Sequence, residues 1–370
     1  MPRYIHQQKG WPAFQWHHES IVTPLAHVRH KQGKLAGRME SLGFNLRNEA
    51  TLNTLTLDVL KSSEIEGEML DINQVRSSIA KRLGMDIGGL VHADRHVEGI
   101  VEMMLDATQN FQARLTADRL FAWHAAMFHT GRSGLQKIKV GAWRDNSIED
   151  PMQVVSGAMG RERVHFEAPA AEFLEKEMID FLNWFDTKMD IDPVLKAAIA
   201  HLWFVTVHPF DDGNGRIARA IADMQLARSD GSNQRFYSMS GQIRKDRSDY
   251  YDVLEKTQKG SLDITGWLEW FFGCLDRALD FTEETLAGVL KKAAFWQLHA
   301  KTLFNSRQQR ILNLLLDSFD GKLTSSKWAK ITKVSQDTAL RDIQDLVDRG
   351  VLMKDPAGGR NTNYLLGEGR

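Results

Sequence analysis

Apolar residues recur at helical spacing along most of this chain. The pattern predicts helices over residues 20–41, 48–70, 72–83, 92–113, 115–129, 193–207, 217–228, 246–258, 263–278 and 281–304. Between two of them, residues 138–169 alternate short β-prone pieces with glycines, which is typical of a hairpin. A mainly α-helical protein with a small β-hairpin is therefore predicted.

The region from Ser306 onwards has shorter elements. Three helices are predicted over 307–318, 325–331 and 335–349, and the third has Ser335 as its N-cap and Gly350 as its stop. Two strands over 351–353 and 362–366 follow, on either side of a glycine turn. Three helices and a hairpin in this order resemble a winged-helix domain.

A winged helix can bind DNA, and the side chains suited to it here are Gln336, Thr338, Arg341 and Arg360. The third helix, however, carries four acidic residues, which are Asp337, Asp342, Asp345 and Asp348. Such a helix is a poor face for DNA. Packing within the chain or in a dimer is therefore the favoured interpretation, and DNA binding is the alternative.

Composition narrows the class of protein. The 370 residues suggest two or three domains. A formal net charge of −1 gives no overall attraction to nucleic acid or membranes. Cys274, the only cysteine, excludes an intrachain disulfide and fits a reducing compartment. No apolar run approaches the roughly 18 residues of a membrane span and the N-terminus has no apolar signal core, so we expect a cytoplasmic protein.

The stretch with the most chemistry is His-Pro-Phe-Asp-Asp-Gly-Asn-Gly-Arg-Ile-Ala-Arg at 208–219, between two predicted helices. Gly213 and Gly215 let backbone N–H groups approach an anion, and the start of the second helix carries partial positive charge. Arg216 and Arg219 are one helical turn apart and can donate to further phosphate oxygens. The stretch therefore predicts a phosphate site.

Three polar side chains of this stretch suit chemistry on a bound phosphate. Asp212 would repel a bare polyphosphate, which makes sense if it is an oxygen ligand of Mg²⁺. His208, with an ordinary pKa near ~6.5, is suited to take a proton from an attacking hydroxyl at neutral pH. Asn214 can hydrogen-bond the phosphate under attack.

Residues 208–219 resemble the signature of the Fic family, HPFx[DE]GNGRxxR, and match every defined position. The resemblance implies a Fic-type helical core that transfers AMP from ATP-Mg to a Ser, Thr or Tyr hydroxyl of a target protein or of the enzyme itself. Pyrophosphate would leave. It implies that His208 is the general base, that Asp212 binds Mg²⁺, and that ATP is bound by Gly213, Asn214, Gly215, Arg216 and Arg219.

An earlier segment, Ser62-Ser63-Glu64-Ile65-Glu66-Gly67, is similar to the Fic inhibitory motif [ST]xxxE[GN] at Ser62, Glu66 and Gly67. In the family this glutamate pairs with the second arginine of the active loop, which is Arg219 here. The resemblance implies that the chain carries its own inhibitor, on a helix over about 52–70.

The segment 138–169 resembles the family's GxWR sequence, at 141–144, followed by its target-docking flap. The flap residues are Met152, Gln153, Val154, Val155, Ser156 and Gly157. An exposed strand edge there would let an extended target segment add by backbone hydrogen bonds. A hairpin that merely covers the core has the same sequence signature.

Beyond the motif, the resemblance implies that Tyr250, Tyr251 and Gln258 border the adenosine. An aromatic ring can stack on a purine, and an amide can select the base or ribose. Two adjacent tyrosines on a helix cannot both face one pocket, and Tyr251 is expected to be the buried one.

We therefore predict a helical N-terminal module at 1–45, a Fic core at 46–290, and a linker helix with a winged-helix domain at 291–370. A homodimer is plausible, because an interface could cover the inhibitory helix. Two other functions stay open: removal of AMP from modified proteins, with Glu66 positioning water, and a DNA-binding regulator whose Fic site senses nucleotides. Relatives of this fold use other phosphorylated donors, so the preference for ATP is also open.

Overall fold

The computed structural model describes residues 3–40, 44–85, 90–147, 149–157, 161, 163–300, 302–316, 319, 321–355 and 362–367. Helices account for most of them, as predicted. The chain divides into two compact units, residues 1–282 and 283–370.

The first unit is built from helices. They are α1 (His18–Glu40), α2 (Phe44–Ile65), α3 (Ile72–Arg82), α4 (Arg95–Gln109), α5 (Ala117–Met127), α6 (Leu174–Asp186), α7 (Pro193–Val207), α8 (Asn214–Asp230), α9 (Met239–Lys245), α10 (Arg247–Gln258) and the start of α11 (Thr265–Leu298). The pattern of apolar residues had not predicted α6 or α9.

Two small antiparallel sheets interrupt these helices. The first pairs β1 (Arg132–Ser133) with β2 (Gln136–Lys137), and the second pairs β3 (Gln153–Ser156) with β4 (Arg163–Glu167). The second sheet lies inside the stretch predicted to form a hairpin. The first lies just before it, in a part of the chain where no strand was predicted.

The core of this unit is centred on α7 and α8. Asp192 caps α7 by accepting a hydrogen bond from the Val194 amide (2.8 Å), and Pro193 occupies the first turn, where no amide donor is needed. Every residue from Val194 to Val207 is buried, so α7 is apolar all round rather than amphipathic. The chain turns at 208–213 and continues as α8. The motif at 208–219 therefore lies at the junction of two buried helices.

The second unit contains α12 (Ser306–Leu316), α13 (Ser325–Thr332) and α14 (Gln336–Asp348), followed by an antiparallel pair of β5 (Leu352–Lys354) and β6 (Tyr364–Leu366). Its core includes Ile311, Leu312, Trp328, Ile343, Leu346, Leu352 and Tyr364. This is the predicted order of three helices and a hairpin.

Three of the acidic residues of α14 have partners within the second unit: Asp342, Asp345 and Asp348. Asp342 accepts hydrogen bonds from the Arg307 guanidinium at 2.6 and 2.9 Å, which ties α14 to α12. Gln336 donates to the Ser326 hydroxyl (3.1 Å) and Thr338 shares a hydrogen bond with the Ser335 hydroxyl (2.9 Å). Of the other two suggested DNA contacts, Arg341 lies on α14 and Arg360 lies outside the described residues.

In the described part of the chain, none of the helices combines the length and the apolar character needed to cross a membrane.

Candidate active site

The turn between α7 and α8 begins at His208, which has a left-handed backbone (φ 51°, ψ 57°). This conformation is uncommon for a residue other than glycine. The buried side chain of Arg144 holds the turn, since its Nε donates to the His208 carbonyl (2.7 Å) and its Nη2 to the Pro169 carbonyl (2.5 Å). The Arg144 amide also donates to the Pro209 carbonyl (2.9 Å). The GxWR arginine therefore supports the backbone of the motif.

The imidazole of His208 has one nitrogen occupied and one available. Its Nδ1 lies 3.2 Å from the Val205 carbonyl, and because a carbonyl can only accept, Nδ1 carries the proton. The lone pair is then on Nε2. Burial lowers the pKa of His208 to about 4, so the ring is neutral at pH 7. A neutral ring with a free lone pair can accept a proton.

Phe210 and Asn214 hold the loop together from inside. The Phe210 amide donates to Oδ1 of Asn214 (2.9 Å), and Nδ2 of Asn214 donates to the Phe210 carbonyl (2.7 Å). The fully buried Phe210 ring also stacks on His124, with 4.3 Å between ring centroids. The side chain of Asn214 is thus engaged within the loop, and a contact between this amide and a phosphate stays a prediction.

His124 of α5 also contacts the loop that carries Asp212. Its Nδ1 accepts from the Gly141 amide (3.2 Å), which leaves Nε2–H to donate to the Asp212 carbonyl (3.2 Å). Burial lowers the pKa of His124 to about 4, which keeps this neutral tautomer. His124 therefore positions the backbone of Asp212 from α5.

The start of α8 has space for little more than backbone. Gly213 has φ 80°, and a Cβ there would lie 2.8 Å from the Phe128 ring. A Cβ at Gly215 would collide with the Glu66 carboxylate and lie 3.2 Å from Nη1 of Arg219. Gly213 is therefore required by its backbone and by the Phe128 ring, whereas the space in front of Gly215 is occupied by the movable end of the Glu66 side chain. A negative group at this place suits the first N–H groups of a helix.

The Asp212 carboxylate is positioned by the protein on both oxygens. Oδ1 accepts from the Gly213 amide (2.6 Å), and Oδ2 accepts from the Ser133 hydroxyl of β1. Over the residues that the structure describes, no three His, Cys, Asp or Glu side chains come together as a metal cluster. A single carboxylate still fits Mg²⁺ at a nucleotide site, because that ion is usually held by one or two carboxylates together with phosphates and water.

Arg219 is bound by the predicted inhibitory segment. Its Nε donates to the Ser62 hydroxyl (2.9 Å), and its Nη2 donates to the Ser62 carbonyl (2.8 Å) and to Oε1 of Glu66 (2.8 Å). The arginine side chain is 2% exposed, whereas that of Glu66 is 31% exposed. Burial alone would lower the pKa of Arg219, but the charge and hydrogen bond of Glu66 together with Tyr250 and Tyr251 raise it on balance. The structure thus brings Ser62, Glu66 and Arg219 together across more than 150 residues of sequence.

Arg216 has a carboxylate partner that sequence reasoning missed. Its Nη1 donates to Oε2 of Glu68 (2.8 Å), and its guanidinium lies over the Phe128 ring at 5.1 Å. The other oxygen of Glu68 contacts Nε2 of His96 on α4. No sequence signal marked this contact: Glu68 is one acidic residue among many, and His96 lies in a different helix, 28 residues further along the chain.

The prediction that Tyr251 is the more buried of the two tyrosines is wrong. Tyr250 is 1% exposed and its hydroxyl lies 3.0 Å from Nε2 of His201, because α10 turns this side chain into the core against α7. Tyr251 is half-buried, with Arg247 over its ring at 4.9 Å. Gln258 is buried and donates to the Thr206 hydroxyl (3.3 Å). Tyr251 is therefore the tyrosine with a face left for a ligand.

The predicted flap coincides with β3 and its flanks. Within the described residues β3 pairs with β4 alone, so its other edge has no strand partner. Met152, Gln153 and Val154 are half-buried, and Val155, Ser156 and Gly157 are exposed. Glu255 of α10 anchors the second strand by accepting from Arg163 (3.0 Å) and contacting Nδ1 of His165 (2.5 Å). The hairpin is thus tied to the helix that carries Tyr251.

Comparison with known families supports this architecture. Residues 114–226 match the model of the Fic/DOC family, and residues 4–85 match a domain of unknown function, DUF4172. The chain is 35% identical over 114 residues to a protein adenylyltransferase Fic of Nematostella vectensis, a match that covers 30% of this chain and 25% of that protein. It is 27% identical over 228 residues to a protein adenylyltransferase Fic of Aedes aegypti, covering 60% of this chain and 40% of that protein. This chain therefore spans well under two thirds of the length of either relative.

The fold is similar to that of a solved Fic family protein from Desulfovibrio desulfuricans G20. The TM-score is 0.56 over 96% of this chain and 98% of that chain, at 20% sequence identity. At this identity the likeness concerns the fold alone. The family match, the motif at 208–219 and its place between two buried helices agree with one another, and the chain contains a Fic domain over residues 114–226.

Proposed function

We propose that this protein transfers AMP from ATP to a hydroxyl group of a protein. The observation that carries the proposal is a neutral histidine, His208, at the turn into a helix whose first two turns carry two buried arginines. A proton acceptor beside an anion site is the minimum that nucleotidyl transfer to a hydroxyl needs. The relatives named protein adenylyltransferase support the same activity.

Each part of the loop has a role in this reaction. The N–H groups at the start of α8 and the guanidinium groups of Arg216 and Arg219 would bind the phosphates. The incoming hydroxyl oxygen forms a bond to the α-phosphorus, the bond from that phosphorus to the pyrophosphate oxygen breaks, and the hydroxyl proton passes to Nε2 of His208. Asp212 would hold Mg²⁺, which supplies charge neutralisation to the phosphates when bound.

The flap would bring the target to His208. An extended segment can add to the open edge of β3 through backbone hydrogen bonds, so its docking requires few particular side chains. The half-buried aromatic ring of Tyr251 would suit stacking on the adenine. Because Glu255 links the flap to α10, the target and nucleotide sides of the site share one support.

We further propose that Glu66 restrains the activity. Its carboxylate binds the Nη2 of Arg219 that a phosphate oxygen would use, and it fills the space in front of Gly215. A carboxylate that is one third exposed can return to water when its segment shifts, and an incoming phosphate would then neutralise the buried Arg219.

The test is transfer of label from α-³²P-ATP with Mg²⁺ to the protein itself. Wild type, Glu66→Gly and the double variant Glu66→Gly with His208→Ala are compared, with γ-³²P-ATP as the control for phosphoryl transfer. Label from the α position that rises in Glu66→Gly and vanishes in the double variant is expected. Label from the γ position, or equal label in the double variant, would contradict the proposal.

The reverse direction is decided in a parallel reaction. AMP-labelled Glu66→Gly protein is incubated with unlabelled wild type. Loss of AMP that requires Glu66 would assign the site to removal of AMP instead.

A further inference from the structure

Two carboxylates, rather than one, face the phosphate-binding arginines. Glu68 pairs with Arg216 at 2.8 Å, the same distance as between Glu66 and Arg219. The burial is also parallel: the arginine side chains are 6% and 2% exposed, and the glutamates are 33% and 31% exposed. Each arginine of the loop is therefore neutralised by its own acidic residue.

The two glutamates are placed by one capping turn at the end of α2. The Glu68 amide donates to the Ser63 carbonyl (3.0 Å), the Gly67 amide donates to the Glu64 carbonyl (3.1 Å), and Gly67 has φ 86°. This is the bond pattern of a Schellman motif, with a left-handed glycine between Glu66 and Glu68. One rigid turn therefore aims both carboxylates at α8.

The backbone of Glu68 forms part of the cap, but its side chain does not. The residue after the left-handed glycine in a Schellman motif often packs an apolar side chain on the last turn of the helix. Glu68 has no such side chain, and it reaches instead to α8 and α4. Its side chain contributes to the loop rather than to the end of α2.

His96 fixes Glu68 in this position. Its Nδ1 lies 3.2 Å from the Met127 carbonyl, and its Nε2 contacts the Glu68 carboxylate. Both partners are acceptors, so both ring nitrogens donate and the ring is cationic. A carboxylate between two cations, His96 and Arg216, is held firmly and reduces the positive potential that a phosphate would meet.

The arginines nevertheless have donors to spare. Within the described part of the chain, Nε of Arg216 and Nη1 of Arg219 are buried without a hydrogen-bond partner. Two monodentate carboxylates leave these donors unused, whereas a polyphosphate offers several acceptor oxygens per phosphate. The pair of arginines is thus better matched to a polyphosphate than to the glutamates that occupy it.

We propose that Glu68 is a second inhibitory residue, which competes with a phosphate for Arg216 as Glu66 competes for Arg219. The inference rests on the proposed nucleotide function of this site. Productive binding of ATP requires both carboxylates to withdraw, and the shared turn at Gly67 lets them withdraw together. Removal of Glu66 alone leaves half of the restraint in place.

Binding is tested by calorimetry with ATP-Mg and, separately, with Mg-pyrophosphate. The variant Glu68→Gln is made in the His208→Ala background, so that the ligand is not consumed. We expect the Kd of both ligands to fall about threefold to tenfold, the effect of removing one partly exposed ion pair. Glu64→Gln is the matched control, because Glu64 lies in the same segment but pairs with Lys61 and Arg244, away from the loop. Unfolding temperatures show that each variant is folded.

Self-labelling is tested in chains that keep His208. We expect Glu66→Gly with Glu68→Gln to label faster than Glu66→Gly alone. A Kd for Glu68→Gln that equals the Glu64→Gln value, or that exceeds the parent value, would overturn the inference; the second result would make Glu68 a support of the ligand site. Failure of every variant to bind either ligand would also overturn it. Absence of label in all variants would refute AMP transfer, while the pyrophosphate Kd would still decide the role of Glu68.

Discussion

Two buried arginines near α8 have opposite kinds of partner. Arg235 donates to Asp223 at 2.7 Å, and the two side chains are 0% and 1% exposed. Arg219 donates to Glu66 at 2.8 Å, but that carboxylate is 31% exposed. Opening the first pair would leave two charges in the core, whereas opening the second returns one charge to water and leaves the arginine for an incoming phosphate. The exposure of the acidic partner, not the distance, distinguishes a scaffold pair from a replaceable one.

The surroundings of the scaffold pair strengthen this contrast. Asp58 lies nearby, and burial followed by the charge of Asp223 raises its pKa to about 8. The charge of Arg235 opposes this rise in the pKa of Asp58, so Arg235 stabilises two buried acidic residues, Asp223 and Asp58. Arg219 also lowers the pKa of Asp223, but less than Arg235 does, and its hydrogen bonds go to Glu66 and the neutral Ser62.

The largest expected effect is on the scaffold pair. Arg235→Met should lower the free energy of unfolding by about 3–5 kcal/mol, because it leaves Asp223 buried without its counter-charge. Urea unfolding followed by circular dichroism measures the loss. Adding Asp223→Asn should recover part of it, and a loss below about 1 kcal/mol for Arg235→Met would show that this pair is as replaceable as the other.

A smaller effect is expected where Glu66 meets the start of α8. Gly215→Ala should destabilise the wild type by up to about 1 kcal/mol, since the new Cβ displaces the Glu66 carboxylate, the end of a flexible and partly exposed side chain, from Arg219. The loss should be smaller in a Glu66→Gly chain, because the colliding group is gone. Urea unfolding of the four chains measures the coupling between the two sites. Equal losses in both backgrounds would mean that the carboxylate does not occupy this space in solution.

Glu66→Gln should change stability by less than about 1 kcal/mol, since the carboxylate is partly exposed and the arginine keeps its bonds to Ser62. Differential scanning calorimetry compares it with Arg235→Met. A cost near that of Arg235→Met would remove the distinction between the two pairs.

The smallest effect concerns pH. The hydrogen bond to Glu68 raises the pKa of His96 above its ordinary value, so the folded state holds this proton more tightly than the unfolded chain does. The stabilisation is complete below the unfolded pKa of about 6.5 and is lost as pH rises through the folded pKa. At acid pH the carboxylate of Glu68 matters as well. Burial alone would raise its pKa, but His96 and Arg216 lower it on balance. The stability that the ionised Glu68 contributes is therefore lost as the pH falls and the carboxylate is protonated.

We therefore expect wild type to exceed His96→Gln in stability by less than about 1 kcal/mol near pH 6, with the difference shrinking towards pH 9. Urea unfolding at several pH values measures it. A difference that grows with pH would contradict a cationic His96.

Local signals in the sequence were enough for α7 and for the position of the motif. Asp192 and Pro193 mark the start of α7, its mostly apolar run contains no glycine or internal proline that would end it early, and His208-Pro209 marks the end. The spacing of Gly213, Gly215 and the arginines likewise needs only the geometry of one helix start. Such features are readable because cause and effect lie within a few residues.

Sequence by itself determined the mainly helical class, the loop at 208–219 and the segment that ends at Gly67. Tertiary structure alone decided that Glu68 meets Arg216, that Arg144 supports His208, and that Tyr250 rather than Tyr251 is buried. These contacts join elements up to about 150 residues apart, and no periodicity or capping rule acts over that distance. Glu68 illustrates the limit: as one acidic residue among many it carried no signal, and only the turn at Gly67 and the packing of α4 against α8 gave it His96 and Arg216 as neighbours.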